Sequence, residues 1–334
     1  MKTLRWGILS TANIAAKMMV PALHETDAAE LVAVASRHDQ KARRWANEHG
    51  IPRAYGSYEA LLEDPEIDAV YNPLPNHLHK EWTIQAAEAG KHALCEKPLG
   101  LTAEECREMT EACERNDIVL MEAFMYRYHA QFQRLQALID DGAVGKPAVV
   151  RASFCFPLAS FQRPDDIRWQ PEMGGGSLMD VGCYCVNASR ALFAAEPTEV
   201  FARSYEHPDF PGVDASLQGL LSFPGDRVAM IDASFVNNAQ QTVEVSGPEG
   251  LIRAPGIFNP PRPNVALAIS KGMDTQTETF DWRYRFHREV EHFTMCVQEN
   301  RSPDTDGEHA IGNMRTIEAL LESARSGRPV AVEA

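Results

Sequence analysis

Leu4-Arg5-Trp6-Gly7-Ile8-Leu9-Ser10-Thr11-Ala12-Asn13-Ile14-Ala15 opens the chain with an apolar strand, a turn of small residues and the start of a helix reaching Glu25. The same sequence of events then recurs. Glu30 to Ser36 reads as a strand and Asp39 to His49 as a helix; Ile67 to Tyr71 is a strand that leads through a Pro-rich turn into a helix from His79 to Ala89. His92 to Cys95, a helix from Thr102 to Asn116 and the strand Ile118 to Glu122 complete the series. Short strands separated by helices of about 10 to 15 residues build parallel βαβ units with right-handed crossovers. Residues 1–122 are therefore expected to form a doubly wound parallel sheet of the Rossmann kind. Helices on both of its faces explain why Val32 to Ala35 and Val119 to Met121 are nearly continuous apolar runs.

Beyond residue 122 the pattern changes. A helix from Gln131 to Asp140 and the turn Gly142 to Pro147 lead into six strand-like segments between Gly, Pro and Asp turns: Val149 to Phe156, Glu199 to Tyr205, Ala215 to Phe223, Arg227 to Phe235, Gln241 to Ser246 and Leu251 to Ala254. Such alternation is that of antiparallel strands. Residues 123–334 are expected to be an α+β domain on one large, open, mainly antiparallel sheet, closed by helices over Tyr284 to Asn300 and Glu308 to Ser326. An open sheet needs a cover, so a homo-oligomer, dimer or tetramer, is expected.

Composition narrows the class of function. Hydrophobic residues make up 44% and charged residues 24%, and no window has the roughly 18 to 20 uninterrupted apolar residues of a membrane span. Met1 to Leu4 runs directly into the first strand without an apolar signal core, which points to the cytoplasm. Lysine and arginine total 32 against 47 acidic residues, and a net charge of −15 opposes nucleic-acid binding. The seven cysteines (95, 106, 113, 155, 183, 185 and 296) form no CxxC pair and suggest buried thiols, not a disulfide framework or a zinc ribbon. His77 and His79 form an HxH without a third ligand cluster, so no metal site is expected.

In an open α/β fold ligands gather at the carboxyl ends of the strands. Lys97, in Ala93-Leu94-Cys95-Glu96-Lys97-Pro98-Leu99-Gly100, falls at such an end with Pro98 stopping the strand just past it, a position suited to proton transfer. The first turn, Ser10-Thr11-Ala12-Asn13-Ile14, occupies the place of a dinucleotide fingerprint, but the three glycine positions fall on Ser10, Ala12 and Ala15. Small residues still admit a pyrophosphate there, and the helix start favours an anion. After the second strand Ser36-Arg37-His38 replaces the acidic residue of an NAD site. Arg37 can fork onto a 2′-phosphate with Lys41 nearby, which favours NADP(H), with NAD(H) as the alternative.

Five motifs in one order carry a resemblance. They are the first turn, Asn72-Pro73-Leu74-Pro75-Asn76-His77-Leu78-His79, Cys95-Glu96-Lys97-Pro98, Met121-Glu122-Ala123-Phe124-Met125-Tyr126-Arg127, and Gly174-Gly175-Gly176-Ser177-Leu178-Met179-Asp180-Val181-Gly182-Cys183-Tyr184. Together they resemble the glucose-fructose oxidoreductase / inositol dehydrogenase / MocA family, on the branch of dimeric dihydrodiol dehydrogenase and NADP-dependent xylose dehydrogenase. The resemblance implies a nucleotide domain, then a sheet domain for substrate and oligomerisation, with the active site between them. It makes Lys97 the lysine beside nicotinamide and substrate, and Tyr184 the proton donor or acceptor. Leu74, Asn76, His79 and Glu96 would line the nicotinamide, with Asn76 and His79 hydrogen bonding; Arg127, Arg168, Trp169 and Tyr284 would line the pocket.

Residue chemistry adds to these roles. Asp180 and Tyr184 lie four apart on a helix and share one face. Two alternatives remain open: Ser177 with Asp180 has a capping-box spacing, and Tyr184 is also suited to core packing. The expected activity is oxidation of an aldose, xylose- or glucose-like, to a lactone with NADP(H). Reduction of a keto or anhydro sugar and oxidation of a trans-dihydrodiol are the alternatives within the chemistry, and a non-catalytic NAD(P)-binding regulator is the alternative outside it.

Overall fold

Six short strands come together in parallel before residue 124: β1 (Leu4–Leu9), β2 (Ala29–Ala35), β3 (Arg53–Tyr55), β4 (Ala69–Asn72), β5 (His92–Glu96) and β6 (Leu120–Ala123). In the computed structural model, which describes residues 3–158, 165–259, 264–283 and 285–333, they form one sheet in the order β3-β2-β1-β4-β5-β6. The strand order reverses between β1 and β4, the switch point where doubly wound sheets open a crevice. Ile8, Leu9, Val34, Tyr71 and Leu94 are fully buried, as continuous apolar strands under two helical layers should be.

Contacts divide the chain into two units, Met1–Tyr128 with Tyr284–Ile311, and His129–Arg283 with Gly312–Ala334. The helix Arg285–Glu299, expected to close the second sheet, therefore belongs to the first unit. Its buried stripe of Phe286, Glu289, Val290, Phe293 and Thr294 meets the first unit's core, where the Phe293 ring lies 5.0 Å from that of Trp6. Thr294 also donates to the Ala28 carbonyl at 3.4 Å. The stripe is visible in the sequence, but periodicity says nothing about which sheet it faces.

The helix after β1 also differs from a continuous run. A wide turn over Ala15–Met19, closed by the Val20 amide on the Ala15 carbonyl, precedes a regular helix over Val20–Glu25. Pro21 explains it, since proline donates no hydrogen bond and its ring crowds the carbonyl four residues back.

The second unit holds a nine-stranded sheet built from β7 (Val149–Cys155), β8 (Glu199–Tyr205), β9 (Ser216–Phe223), β10 (Arg227–Ser234), β11 (Gln240–Gly247), β12 (Gly250–Pro255), β13 (Asn264–Lys271), β14 (Asp274–Asp281) and β15 (Val330–Ala331). Its order is β14-β13-β12-β11-β7-β10-β9-β8-β15, antiparallel throughout except for β7 beside β10. One face buries Val150, Ala152, Leu217, Leu221, Val243, Val245 and Ile252. Gly219 lets a helix come close, because a Cβ there would stand 2.8 Å from Leu320 Cδ2. On the other face Phe201, Leu220 and Met230 stand in register across β8, β9 and β10, with Leu220 42% and Met230 40% exposed. Among the described residues no helix is long and apolar enough to cross a membrane.

Candidate active site

The parallel sheet brings most of the sequence-nominated residues of the first unit to one edge. Ser10 to Ile14 follow β1, Ser36 and Arg37 follow β2, the Leu74 to His79 loop follows β4, Glu96 and Lys97 end β5, and Arg127 follows β6. Ser10 takes the first glycine position of a fingerprint and has a φ of +151°, in the range that favours glycine, so the turn is tight despite its side chain. Ser36 is buried, whereas Arg37 and Lys41 are exposed, with the Arg37 guanidinium next to the Tyr58 hydroxyl. Asp39, two residues further along the chain from Arg37, is engaged by Arg43 at 2.7 Å.

Lys97 is half-buried in a turn that is held from three directions. Glu96 Oε2 accepts from the Lys97 amide at 3.4 Å, and Glu96 Oε1 accepts from the Tyr71 hydroxyl at 2.5 Å. The Leu99 amide donates to Glu122 Oε1 at 2.9 Å, and Glu122 is itself anchored by backbone pairing with Thr305. His79 Nδ1 lies 2.9 Å from the Pro98 carbonyl and His79 Nε2 lies 2.8 Å from the Leu74 carbonyl. The Lys97–Pro98 peptide is cis.

His79 was expected to hydrogen bond to nicotinamide, and the structure corrects this. Its ring is fully buried and each nitrogen faces a backbone carbonyl, so it sits wedged between the β4 turn and the β5 turn with no nitrogen open to a ligand. Burial pushes its pKa down to about 4, with the two carbonyl contacts pulling the other way and the Lys97 charge adding to the depression. The neutral ring has one proton, so one contact donates and the other does not. Asn72, absent from the sequence reading as a site residue, braces the same loop: it is fully buried, accepts from the Leu74 amide at 3.3 Å and donates to Thr83 at 3.2 Å.

In the second unit Arg168 Nε donates to Asp180 Oδ2 at 2.8 Å and Arg168 Nη1 to Asp166 at 3.4 Å. The capping-box alternative for Asp180 does not hold, because Ser177 makes no side-chain cap and its hydroxyl goes to Asp214 at 2.5 Å. Asp180 sits in a wide turn over Leu178–Gly182 that leads directly into the helix Cys183–Phe193. Tyr184 is 5% exposed, its ring against Phe154 at 5.4 Å and Phe258 at 5.5 Å. Trp169 is 3% exposed, its ring stacked on Phe210 at 4.4 Å and edge-on to Phe235. Tyr284 lies outside the described residues. No cluster of three or more His, Cys, Asp or Glu side chains able to hold a metal occurs among the described residues.

A doubly wound sheet with a small-residue turn at its switch point, cations after its second strand and a braced lysine after its fifth defines a nucleotide-dependent oxidoreductase. Residues 4–124 match the oxidoreductase family with an NAD-binding Rossmann fold, and residues 132–253 match the GFO/IDH/MocA C-terminal domain. The chain belongs to this GFO/IDH/MocA oxidoreductase family. It is 41% identical to a D-xylose 1-dehydrogenase (NADP+) of Haloferax volcanii over 98% of this chain and 99% of that one. It is 32% identical to a trans-1,2-dihydrobenzene-1,2-diol dehydrogenase of Xenopus laevis, over 88% and 89% respectively. The solved aldose-aldose oxidoreductase of Caulobacter crescentus, complexed with glycerol, superposes with a TM-score of 0.92 at 29% identity, covering 99% of this chain and all of that one.

The buried imidazole makes a pH signature. Since His79 has a folded pKa below its ordinary 6.5, its contribution to stability is fully present above pH 6.5 and is lost as pH falls toward 4. The loss should approach about 3 kcal/mol at pH 4, measured as the pH-dependent difference in urea unfolding between wild type and His79→Gln. Parallel curves for the two proteins between pH 7 and 4 would show that the ring is not held neutral.

Proposed function

We propose that this chain is an NADP(H)-dependent aldose 1-dehydrogenase that oxidises a xylose- or glucose-like sugar to its lactone in the cytoplasm. The observation that carries the reading is Lys97, braced by Glu96, Glu122 and His79 at the carboxyl end of β5, in a chain 41% identical to an NADP+-linked xylose dehydrogenase. The seven cysteines are all buried free thiols, in keeping with a reducing compartment.

The edge fits a phosphorylated dinucleotide. Ser10, Thr11, Ala12 and Asn13 offer a tight turn of small residues for the pyrophosphate, and Ile14, 38% exposed, offers an apolar surface beside it. Exposed Arg37 and Lys41 suit a 2′-phosphate, while Asp39 is occupied by Arg43. Leu74, Asn76, Glu96 and Arg127 border the strand ends where the nicotinamide would lie. When bound, the nicotinamide supplies the hydride acceptor.

The protein's own task is the proton. Tyr184, in its phenolate form beside the Lys97 ammonium charge, takes the proton of the C1 hydroxyl and becomes the phenol as the C1–H bond gives up its electron pair, and Lys97 stabilises the oxygen that becomes the lactone carbonyl. Arg168 and Asp180 orient the sugar hydroxyls through their paired charges. The unit with the parallel sheet serves as the nucleotide-binding part, and the unit with the nine-stranded sheet carries substrate recognition and self-association. A second reading, oxidation of a trans-dihydrodiol, is favoured by the 32% identical diol dehydrogenase and uses the same groups.

Turnover of an aldose panel with NADP+, followed by absorbance of the reduced cofactor, tests the assignment. A sugar turned over by wild type but not by Lys97→Ala, with kcat down at least about 10²-fold and NADP+ affinity within about tenfold, is expected. Cofactor binding without turnover of any sugar or diol would favour a nucleotide-binding regulator instead. Arg37→Ala should weaken NADP+ by about tenfold or more, or ~1.4 kcal/mol, and leave NAD+ little changed; equal losses would contradict the cofactor preference.

Self-association is assigned to the exposed sheet face bearing Phe201, Leu220 and Met230. Met230→Lys should lower the mass measured by sedimentation. An unchanged assembly, or a wild-type monomer, would remove this surface from the account.

A further inference from the structure

Asp180 and Tyr184 sit on a segment whose entry is held by a residue far along the chain. Asp214, in the loop between β8 and β9, is buried, and its Oδ2 accepts from the Ser177 hydroxyl at 2.5 Å and from the Leu178 amide at 2.8 Å. Its main-chain carbonyl accepts from the Ser177 amide at 2.7 Å. Gly176 has a φ of +107°, and a Cβ there would fall 2.3 Å from Asp214 Oδ1, so the glycine lets the carboxylate seat.

The hydrogen bonds continue toward the proposed proton acceptor, Tyr184. The Leu178 carbonyl accepts from the Cys183 amide, closing the wide turn Leu178–Gly182 immediately before Tyr184. On the other side, the Arg168 carbonyl accepts from the Gly176 amide at 2.9 Å, while the Arg168 guanidinium pairs with Asp180. The same loop packs Phe210 on Trp169 and brings Gly212 against Pro171, so it grips the whole run from Arg168 to Leu178. Among the described residues Asp214 has no ion pair. A buried carboxylate without a counter-ion is costly, and such departures from economical packing concentrate where function needs a fixed geometry.

We propose that Asp214 is a positioning residue for the proton transfer: by fixing the Ser177 hydroxyl and the Leu178 amide it sets the origin of the wide turn and so the directions of Asp180 and Tyr184. The inference rests on the reaction proposed above. It assigns to Asp214 no contact with substrate or cofactor.

The test uses the full chain and two variants, Asp214→Asn and the milder Ser177→Ala, with steady-state kinetics and amide hydrogen exchange. Asp214→Asn should lower kcat about 30- to 100-fold while KM for NADP+ stays within about twofold, and amides from Leu178 to Tyr184 should exchange faster while those of β9 and β10 do not. Ser177→Ala should shift the same quantities in the same direction by less. Either variant folding with kcat and exchange unchanged overturns the proposal, and so does failure of both to fold, which would assign Asp214 to stability alone. If wild type turns over no sugar, the reaction reading fails separately; the exchange rates of Leu178 to Tyr184 then decide, and unchanged rates overturn the positioning role.

Discussion

The hydrogen bonds around the turn after β5 are the constraint on which the rest depends. A lysine at a strand end is free to swing unless the backbone beneath it is fixed, and here the fixing groups come from three strands: Glu96 on β5 itself, Glu122 on β6 and His79 just beyond β4. Glu96 and Glu122 accept from the Lys97 and Leu99 amides, and the His79 ring packs against the Pro98 carbonyl between them. Because the parallel sheet aligns the carboxyl ends of β4, β5 and β6, these groups converge without any loop having to be long. Fold and candidate chemistry are thus coupled at the level of strand register.

The second unit solves the same problem differently. There the segment bearing Asp180 and Tyr184 begins after a glycine run, so its backbone is intrinsically permissive and needs an external hold. Asp214 and the aromatic stack of Phe210 on Trp169 supply it. Polar anchoring in one unit falls to groups at strand ends, and in the other to a loop between β8 and β9.

Much of this was legible because the signals were local. Apolar strands between helices of ordinary length announced the parallel sheet, and the rule that ligands collect at carboxyl ends then picked out Ser10 to Ile14, Arg37 and Lys97 from position alone. β3 and the helix Tyr58–Leu62 escaped notice because three and five residues are too few to show a period. β14 escaped because its side chains, mostly exposed, alternate no apolar face. Arg285–Glu299 showed its apolar stripe but not the sheet it would meet. The braces were the hardest to see: Asn72, Glu122 and Asp214 bond to atoms by virtue of tertiary folding, and no spacing announces that. His79 misled for the opposite reason, since an HxH in a loop suggests open nitrogens while the fold buries the ring between two carbonyls.

A crystal structure with NADP+ and a sugar that the protein oxidises tests the central claim most directly. The account predicts the nicotinamide ring at the carboxyl end of β5, with Lys97 Nζ and Tyr184 Oη each within hydrogen-bond reach of the hydroxyl on the carbon that gives up hydride. A sugar bound with either head out of reach of that hydroxyl, or a nicotinamide lodged away from Lys97, would contradict it.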